Sequence, residues 1–234
     1  MAASNTSVVI VRYINTTTRD HIMSYIEDTL VYIFNSIGHL VCHQLPERTL
    51  WIGGRYLPVC ARCTGAYLGF YIGYLLLPMR KKEACGPPNL WITLFMVAPM
   101  IFDAGTQFIG LRTSTNELRL VTGLVFGVAL APFLVYSLAQ VPTSRRLPIL
   151  RDFLPKSVKL DDKKSWLGYQ ALGFGLLIAV TLFFLINSIA GSTNHLFYWL
   201  LSPLIIISVV LHIFLLPIFL VISFVLYLKK RFNP

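Results

Sequence analysis

The chain has 234 residues, of which 56% are hydrophobic and only 13% are charged, and its mean hydropathy is +0.67. That composition has more apolar surface than a soluble domain of this size can bury, so it excludes an ordinary soluble protein. The net charge of +10 is typical of nucleic-acid binding, but most of it lies in loops that can contact anionic lipid headgroups. We therefore expect an all-α, polytopic transmembrane helical bundle whose partners are membrane lipids and not nucleic acid.

The apolar segments long enough to cross a membrane follow one another from residue 61 onward. The clearest candidates are 61–79, 90–109, 118–138 and 166–189. The apolar stretch 196–228 is too long for one upright span and too short for two. It predicts one kinked helix, or an interfacial turn plus one span, with Pro203 and Pro217 as kinks.

The segment 23–41 is ambiguous, because Glu27 and Asp28 lie near its start. It is compatible with a span and with an amphipathic helix in the membrane interface. The sequence thus predicts about five to six spans in all.

Basic residues predict the orientation, because short cytoplasmic loops retain Lys and Arg. The predicted spans place three basic segments on one side of the membrane, namely 80–82, 141–165 and 229–231. That side and the C-terminus are therefore expected in the cytoplasm. The loop with Cys42 to Cys63, the loop 110–117 and the turn 191–195 are then extracytoplasmic in the plasma membrane. The five basic residues expected outside are all arginines: Arg48, Arg55, Arg62, Arg112 and Arg119.

The expected organisation has four parts. These are a loosely ordered N-terminal tail (1–22), a core membrane domain (23–139), a basic cytoplasmic linker (140–165) and C-terminal transmembrane helices (166–234). The first 20 residues lack the basic and then apolar pattern of a cleavable signal peptide.

Three of the four cysteines lie close together in the sequence, as Cys42-His43 and Cys60-Ala-Arg-Cys63. Two sulfurs at this spacing sit on one turn, and a third sulfur plus an imidazole complete a tetrahedral zinc site. Adjacent residues such as Cys42 and His43 rarely ligate one ion comfortably, so water is an alternative fourth ligand. A water ligand would leave the open position of a catalytic zinc site.

Two alternatives explain the same cysteines. A structural disulfide from Cys42 to Cys60 or Cys63 suits an extracytoplasmic loop, because oxidising conditions prevail there. A Cys-x-x-Cys pair at the head of a membrane helix also suits thiol–disulfide exchange with a quinone.

A second polar segment, 102–123, interrupts the apolar pattern. A carboxylate within a span is costly, so Asp103 is expected to face the bundle interior and to have a partner. Thr106 and Gln107 follow Asp103 at helical spacing and share its face.

The next helix is expected to begin with a capping box, in which Ser114 is the N-cap and Glu117 the third helical residue. Arg112 and Arg119, together with the amides of this helix start, then form an anion site. The alternative is that both arginines reach lipid phosphates and that Asp103 merely neutralises one of them.

Two smaller features concern packing. Gly65, Gly69 and Gly73 recur every four residues, which favours close helix packing. His212 lies alone in an apolar segment, and we expect it to be hydrogen-bonded to a neighbouring helix.

Three ordered motifs over about residues 38–127 resemble a prokaryotic membrane family known as domain of unknown function 2085. They are Cys-His-Gln-x-x-x-Arg, Cys-x-Arg-Cys-Thr-Gly and Asp-x-x-Thr-Gln-x-x-Gly-x-Arg-x-Ser/Thr-x-Asn-x-x-Arg-x-x-Thr-Gly, and all three occur here. The resemblance implies a membrane location and carries no established reaction. The helices after residue 140 look like an extension to this family.

From these clusters we predict three sets of site residues. The metal ligands are some subset of Cys42, His43, Cys60 and Cys63. The catalytic residues are Asp103, Gln107, Arg112 and Arg119. The substrate-binding residues are Arg48, Arg62, Thr106, Ser114, Asn116 and Thr122.

Three functions are compatible with such a site. The first is a zinc-dependent enzyme acting on a phosphate-bearing lipid or isoprenoid. The second is a carrier or flippase for an anionic lipid, with a structural zinc ion. The third is a thiol–disulfide oxidoreductase linked to quinone.

Overall fold

The computed structural model describes residues 3–79, 86–139, 165 and 167–232. Its helices are α1 (Ala3–His39), α2 (Ala61–Leu75), α3 (Leu90–Phe108), α4 (Asn116–Ala139), α5 (Tyr169–Ile189) and α6 (His195–Phe232). A hairpin of β1 (Trp51–Ile52) and β2 (Arg55–Tyr56), and short 3-10 turns at Pro46–Arg48 and Leu77–Met79, complete the described structure. The expected all-α membrane-type fold is confirmed.

Some predictions concern residues outside this description. They are the basic segment 80–82 and nearly all of the linker 140–165.

Four helices in the described residues are long and apolar enough to cross a membrane, where the sequence predicts five to six. They are Leu90–Phe108, Asn116–Tyr136, Tyr169–Ile189 and His195–Phe214. The apolar segment 196–228 lies within the single helix α6, which contains both Pro203 and Pro217.

The expected span 61–79 is shorter than predicted. Helix α2 has 15 residues and ends at Leu75, so at 1.5 Å per residue it is about 22 Å long, against a hydrocarbon core of about 30 Å. Pro78 lies in the following 3-10 turn. Proline cannot continue an α-helix, because it lacks the amide hydrogen and clashes with the preceding turn.

Helix α1 differs from the expected tail, since residues 3–22 are helical. The chain contains no Gly or Pro before Gly38, so nothing interrupts the helix until the loop that carries Cys42.

The second half of α1 contacts the connecting loops. Arg55 of the hairpin pairs with Asp28 at 3.3 Å, the Phe34 ring meets Trp199 near the start of α6, and Gly38 lies against Pro58. These partners all lie near the ends of other helices, so residues 28–39 run across one end of the bundle. This placement favours the interfacial alternative for 23–41.

The same end of the bundle carries three connecting segments. Amide hydrogens of Gly53 and Gly191 donate to Ser192 and Trp51 carbonyls at 2.7 and 2.8 Å, which joins the hairpin to the α5–α6 turn. Ion pairs between α2, α3 and the α3–α4 loop meet there as well. The three loops that the charge pattern assigns to one side therefore do lie together.

Helices α2 and α4 pack with their backbones in contact. A Cβ atom on Gly69 would lie 2.3 Å from the Leu124 carbonyl oxygen, and one on Gly127 would lie 2.2 Å from that of Ala66. Such distances leave no room for any side chain. The expectation that the glycine repeat of α2 serves close packing is confirmed, and Gly123 and Gly127 of α4 complete the contact.

His212 is buried and fully hydrogen-bonded to its surroundings, as expected. Its Nδ1 lies 2.6 Å from the Ser208 carbonyl oxygen, so Nδ1 carries the hydrogen and Nε2 accepts from the Tyr74 hydroxyl at 2.9 Å. This arrangement links α6 to α2 and gives the histidine a packing role.

We expect Gly127→Leu to destabilise the protein by about 2–3 kcal/mol, because the side chain would force α2 and α4 apart. The apparent melting temperature in detergent measures this effect. Gly173→Leu on α5 is the matched control, since a Cβ there meets nothing within 4 Å. Equal melting temperatures for the two variants would contradict the proposed backbone contact.

Candidate functional site

Cys42, Cys60 and Cys63, here called the thiol cluster, bring their sulfur atoms within 4.8 Å of one another. All three are free thiols. Cys60 is the N-cap of α2 and Cys63 lies in its first turn, while the Cys60 amide donates to the Cys42 sulfur at 3.2 Å. The cluster could therefore hold a metal ion, as the spacing predicts.

Gln44 holds the loop that carries Cys42. Its side-chain amide donates to the carbonyl oxygens of Asn35 and Pro58, both at 2.7 Å, and its backbone adopts a positive φ of 53°. Gly38 permits the close approach, because a Cβ there would lie 1.9 Å from the Pro58 oxygen. Gln44 belongs to the first motif, but the sequence carries no signal for this contact, since both carbonyl groups are distant from Gln44 along the chain.

Two pKa values show how protons are shared in the thiol cluster. The pKa of Cys42 is lowered, first because its sulfur accepts a hydrogen bond from the Cys60 thiol and then because it accepts one from Cys63. The pKa of Cys60 is raised, chiefly because of the same contact with Cys42. Without a cation the three sulfurs cannot all be thiolates, since each charge opposes the next. A metal ion would remove that restriction.

His43 does not complete the cluster. Its side chain is exposed, and the described ligand atoms that converge are the three sulfurs alone. His43 follows Cys42 directly and lines the cavity beside the cluster, but it is not one of the converging ligands. Three protein ligands leave a fourth tetrahedral position open.

A cavity of about 180 Å³ connects the thiol cluster with the basic residues. It is lined by Val41, Cys42, His43, Gln44, Leu45, Arg48, Cys60, Arg62, Cys63 and Arg119. We call Arg48, Arg62 and Arg119 the arginine pocket. No carboxylate lines this cavity among the described residues, so the pocket is strongly cationic.

Asp103 organises the arginines from behind this cavity. Its side chain is only 2% exposed and forms ion pairs with both Arg62 and Arg112. Gln107 accepts a further hydrogen bond from Arg62 at 3.1 Å, and Thr106 accepts one from Arg112 at 3.1 Å. A carboxylate so enclosed positions guanidinium groups and is poorly placed to take a proton from a substrate.

Arg119 has no carboxylate partner among the described residues, although the residue is only 5% exposed. Its Nη1 donates to the Asn116 side chain at 2.8 Å, whereas its buried Nε has no hydrogen-bond partner. A buried, unpaired cation is costly, and a bound anion would offset that cost, so Arg119 is a candidate anion-binding residue. Its burial also argues against the alternative in which it reaches lipid phosphates at the surface.

The capping residue of α4 differs from the prediction. Helix α4 begins at Asn116, and the Thr115 side chain accepts from the Leu118 amide at 3.3 Å. Thr115 is thus the N-cap in place of Ser114, because the helix starts one residue later than the capping-box spacing implied.

Two other predicted substrate-binding residues, Thr122 and Ser114, form hydrogen bonds with nearby protein groups. Thr122 donates to the Leu118 carbonyl oxygen within its own helix at 2.7 Å. Ser114 is buried, and its hydroxyl donates to the Thr115 carbonyl oxygen at 3.4 Å. Neither lines the cavity beside the thiol cluster.

A second cavity, of about 570 Å³, adjoins the first. It is lined by Arg48, Arg62, Ile101, Ala104, Gly105, Gln107 and Phe108. Arg48 and Arg62 line both cavities. The two polar clusters of the sequence therefore form one continuous region.

We expect Asp103→Asn to destabilise the protein by about 3 kcal/mol, because it leaves two guanidinium groups without their buried counter-charge. Thermal unfolding in detergent measures the loss. Asp28→Asn is the matched control, since Asp28 pairs with Arg55 at an exposed site, and we expect it to cost less than about 1 kcal/mol. Equal stability of Asp103→Asn and the parent would show that the ion pairs of Asp103 do not hold Arg62 and Arg112 in place.

Two relatives match part of this chain. An uncharacterised protein of Methanocaldococcus jannaschii is 43% identical over 93 residues, which are 39% of this chain and 60% of the relative. An uncharacterised protein of Methanothermobacter thermautotrophicus is 43% identical over 94 residues, which are 39% of this chain and 81% of that protein. The chain thus spans about 60% of the first relative's length. No solved structure matches it at a comparable level.

The profile of a family described as predicted membrane protein, domain of unknown function 2085, matches residues 42–133. The match begins at Cys42 and contains the thiol cluster, the arginine pocket and Asp103, while α5 and α6 lie outside it. The chain belongs to this membrane protein family.

Proposed function

We propose that this protein binds a zinc ion through the thiol cluster and acts as a membrane enzyme on a phosphate-bearing lipid. The phosphate would be held beside the zinc ion by the arginine pocket. One observation carries the proposal: the buried, unpaired Arg119 lines the same cavity as Cys42, Cys60 and Cys63. A cation site and an anion site that share one small cavity suit a single ligand that bridges them.

The chemistry of the donor set supports zinc. Thiolate ligands favour soft or borderline ions, and three protein ligands with an open fourth position are the pattern of catalytic zinc sites. A zinc ion held by these ligands would polarise an oxygen of water or substrate bound at the open position. His43, exposed in the same cavity, is the side chain best placed to exchange a proton there.

The arginine pocket supports a phosphate group. Guanidinium groups present paired donors that match phosphate oxygens. Asp103 is already satisfied by Arg62 and Arg112, and Glu47 approaches Arg48 only at 3.7 Å and at an exposed site. The positive charge of Arg119 and most of that of Arg48 therefore remain for a ligand.

In this proposal, the predicted catalytic residues divide into two kinds. Arg119 contacts the phosphate directly, together with Arg48 and Arg62. Asp103, Gln107 and Arg112 position Arg62 through their mutual hydrogen bonds.

Thiol–disulfide exchange is the second candidate function. The contact of three free thiols and the lowered pKa of Cys42 support it, because a thiolate is the attacking species in such exchange. It requires cysteines that cycle between redox states, whereas the zinc site requires cysteines that stay reduced and metal-bound.

We expect the purified full-length protein to contain about one zinc ion per chain, and Cys60→Ser and Cys63→Ser to lose it. Elemental analysis with thiol titration measures both quantities. Cys85→Ser is the control, because Cys85 lies outside the proposed ligand set. A metal-free protein with a reducible bond among the three cysteines would reject the zinc site and favour thiol exchange.

Arg119→Gln is expected to weaken the binding of both glycerol phosphate and dioleoyl phosphatidic acid at least tenfold, because charged hydrogen bonds contribute about 1.5–3 kcal/mol. Titration calorimetry on the zinc-loaded protein measures the change. Arg55→Gln removes an arginine at the same end of the bundle that pairs with Asp28 and lines neither cavity. Equal losses in both variants would mean that only net charge matters and would contradict a specific pocket.

A further inference from the structure

The larger cavity combines a charged wall with an apolar wall. Arg48 and Arg62 stand on one side, and α3 forms the other. Four α3 residues without polar side chains line it, namely Ile101, Ala104, Gly105 and Phe108. They are spaced by three and four positions, so they form one face of the helix, and Gln107 lines the cavity beside them. Only a ligand with a polar and an apolar part complements both walls.

The other helices in the described part of the chain leave that face of α3 exposed. Phe108 is 91% exposed and Ile101 is 63% exposed, and α3 is one of the helices apolar enough to cross a membrane. The cavity therefore opens sideways, along a surface that the lipid phase of a membrane would contact.

Gly105 leaves a gap in the apolar wall. A Cβ atom at this position would meet nothing within 4 Å, in contrast to the tightly packed glycines of α2 and α4. The glycine is thus not needed for helix packing, and its missing side chain widens the passage beside Ala104.

We propose that this face of α3 is the channel through which the hydrocarbon chain of the lipid leaves the arginine pocket toward the membrane. This inference rests on the proposed function and adds the binding site of the lipid tail and the direction of entry. The phosphate occupies the arginine pocket, and the chain passes Gly105 between Ile101 and Phe108.

The channel would affect lipid binding mainly by giving the hydrocarbon chain a path, and much less by attracting the chain. Apolar side chains attract a hydrocarbon chain little more than the surrounding lipid does, because lipid tails are equally apolar. A side chain that fills the gap would instead block the chain sterically. A water-soluble phosphate, which has no chain to place, would still reach the arginines.

The test uses zinc-loaded, full-length protein in detergent and two probes, dioleoyl phosphatidic acid and glycerol phosphate. We expect Gly105→Leu to weaken binding of the lipid at least tenfold and to leave binding of glycerol phosphate within twofold of the parent. Leucine is a better helix former than glycine and has open space here, so the variant should fold. Gly173→Leu, an equally open glycine on α5, controls for the added side chain and should change neither affinity.

Unchanged lipid binding by Gly105→Leu would overturn the channel. Equal loss of both probes would also overturn it, because the substitution would then act on the arginine pocket. Arg119→Gln, measured in parallel, separates the two proposals. If Arg119→Gln leaves both probes bound, the phosphate pocket itself fails, whereas loss of both probes there with no effect at Gly105 rejects only the channel.

Discussion

The direct contact between the backbones of α2 and α4 is the constraint on which the site depends. Gly123 lies against the Arg62 carbonyl, where a Cβ would be 2.3 Å from the oxygen. This contact places the first turn of α2, with Arg62 and Cys63, beside the first turns of α4, with Arg119. With larger residues at the glycines, the helices would separate by several ångströms and the thiols and arginines would no longer share a cavity.

Charge balance explains why the two halves of the site belong together. Asp103 is almost fully buried, and its single negative charge is shared between Arg62 and Arg112. Arg119 is therefore left without a counter-charge among the described residues. The thiol cluster lacks a positive charge, because its three neighbouring sulfurs become thiolates together only when a cation is present. A bound metal ion and a bound phosphate would each satisfy one half, and each would favour the other through their mutual attraction.

The sequence predicts correctly those features that depend on composition or on the spacing of residues within one segment. Composition identified a helical membrane protein, Cys60 and Cys63 do lie on one helical turn, and the glycine repeat of α2 does mark a backbone contact. Features that depend on tertiary structure were not predictable in the same way. The early end of α2 follows from the turn at Pro78, and the role of Gln44 depends on two carbonyl groups distant in sequence. The course of α1 across the end of the bundle depends on partners in the hairpin and in α6.

The central claim is that metal and phosphate occupy one composite site, and phosphorus NMR of bound glycerol phosphate tests it most directly. Paramagnetic Co²⁺ takes the same ligands as Zn²⁺ and accelerates the relaxation of nuclei within a few ångströms. The cavity shared by the thiol cluster and Arg119 predicts much faster phosphorus relaxation in the cobalt-loaded protein than in the zinc-loaded protein. Equal relaxation in the two forms, with phosphate bound in both, would place the anion away from the metal and contradict the account.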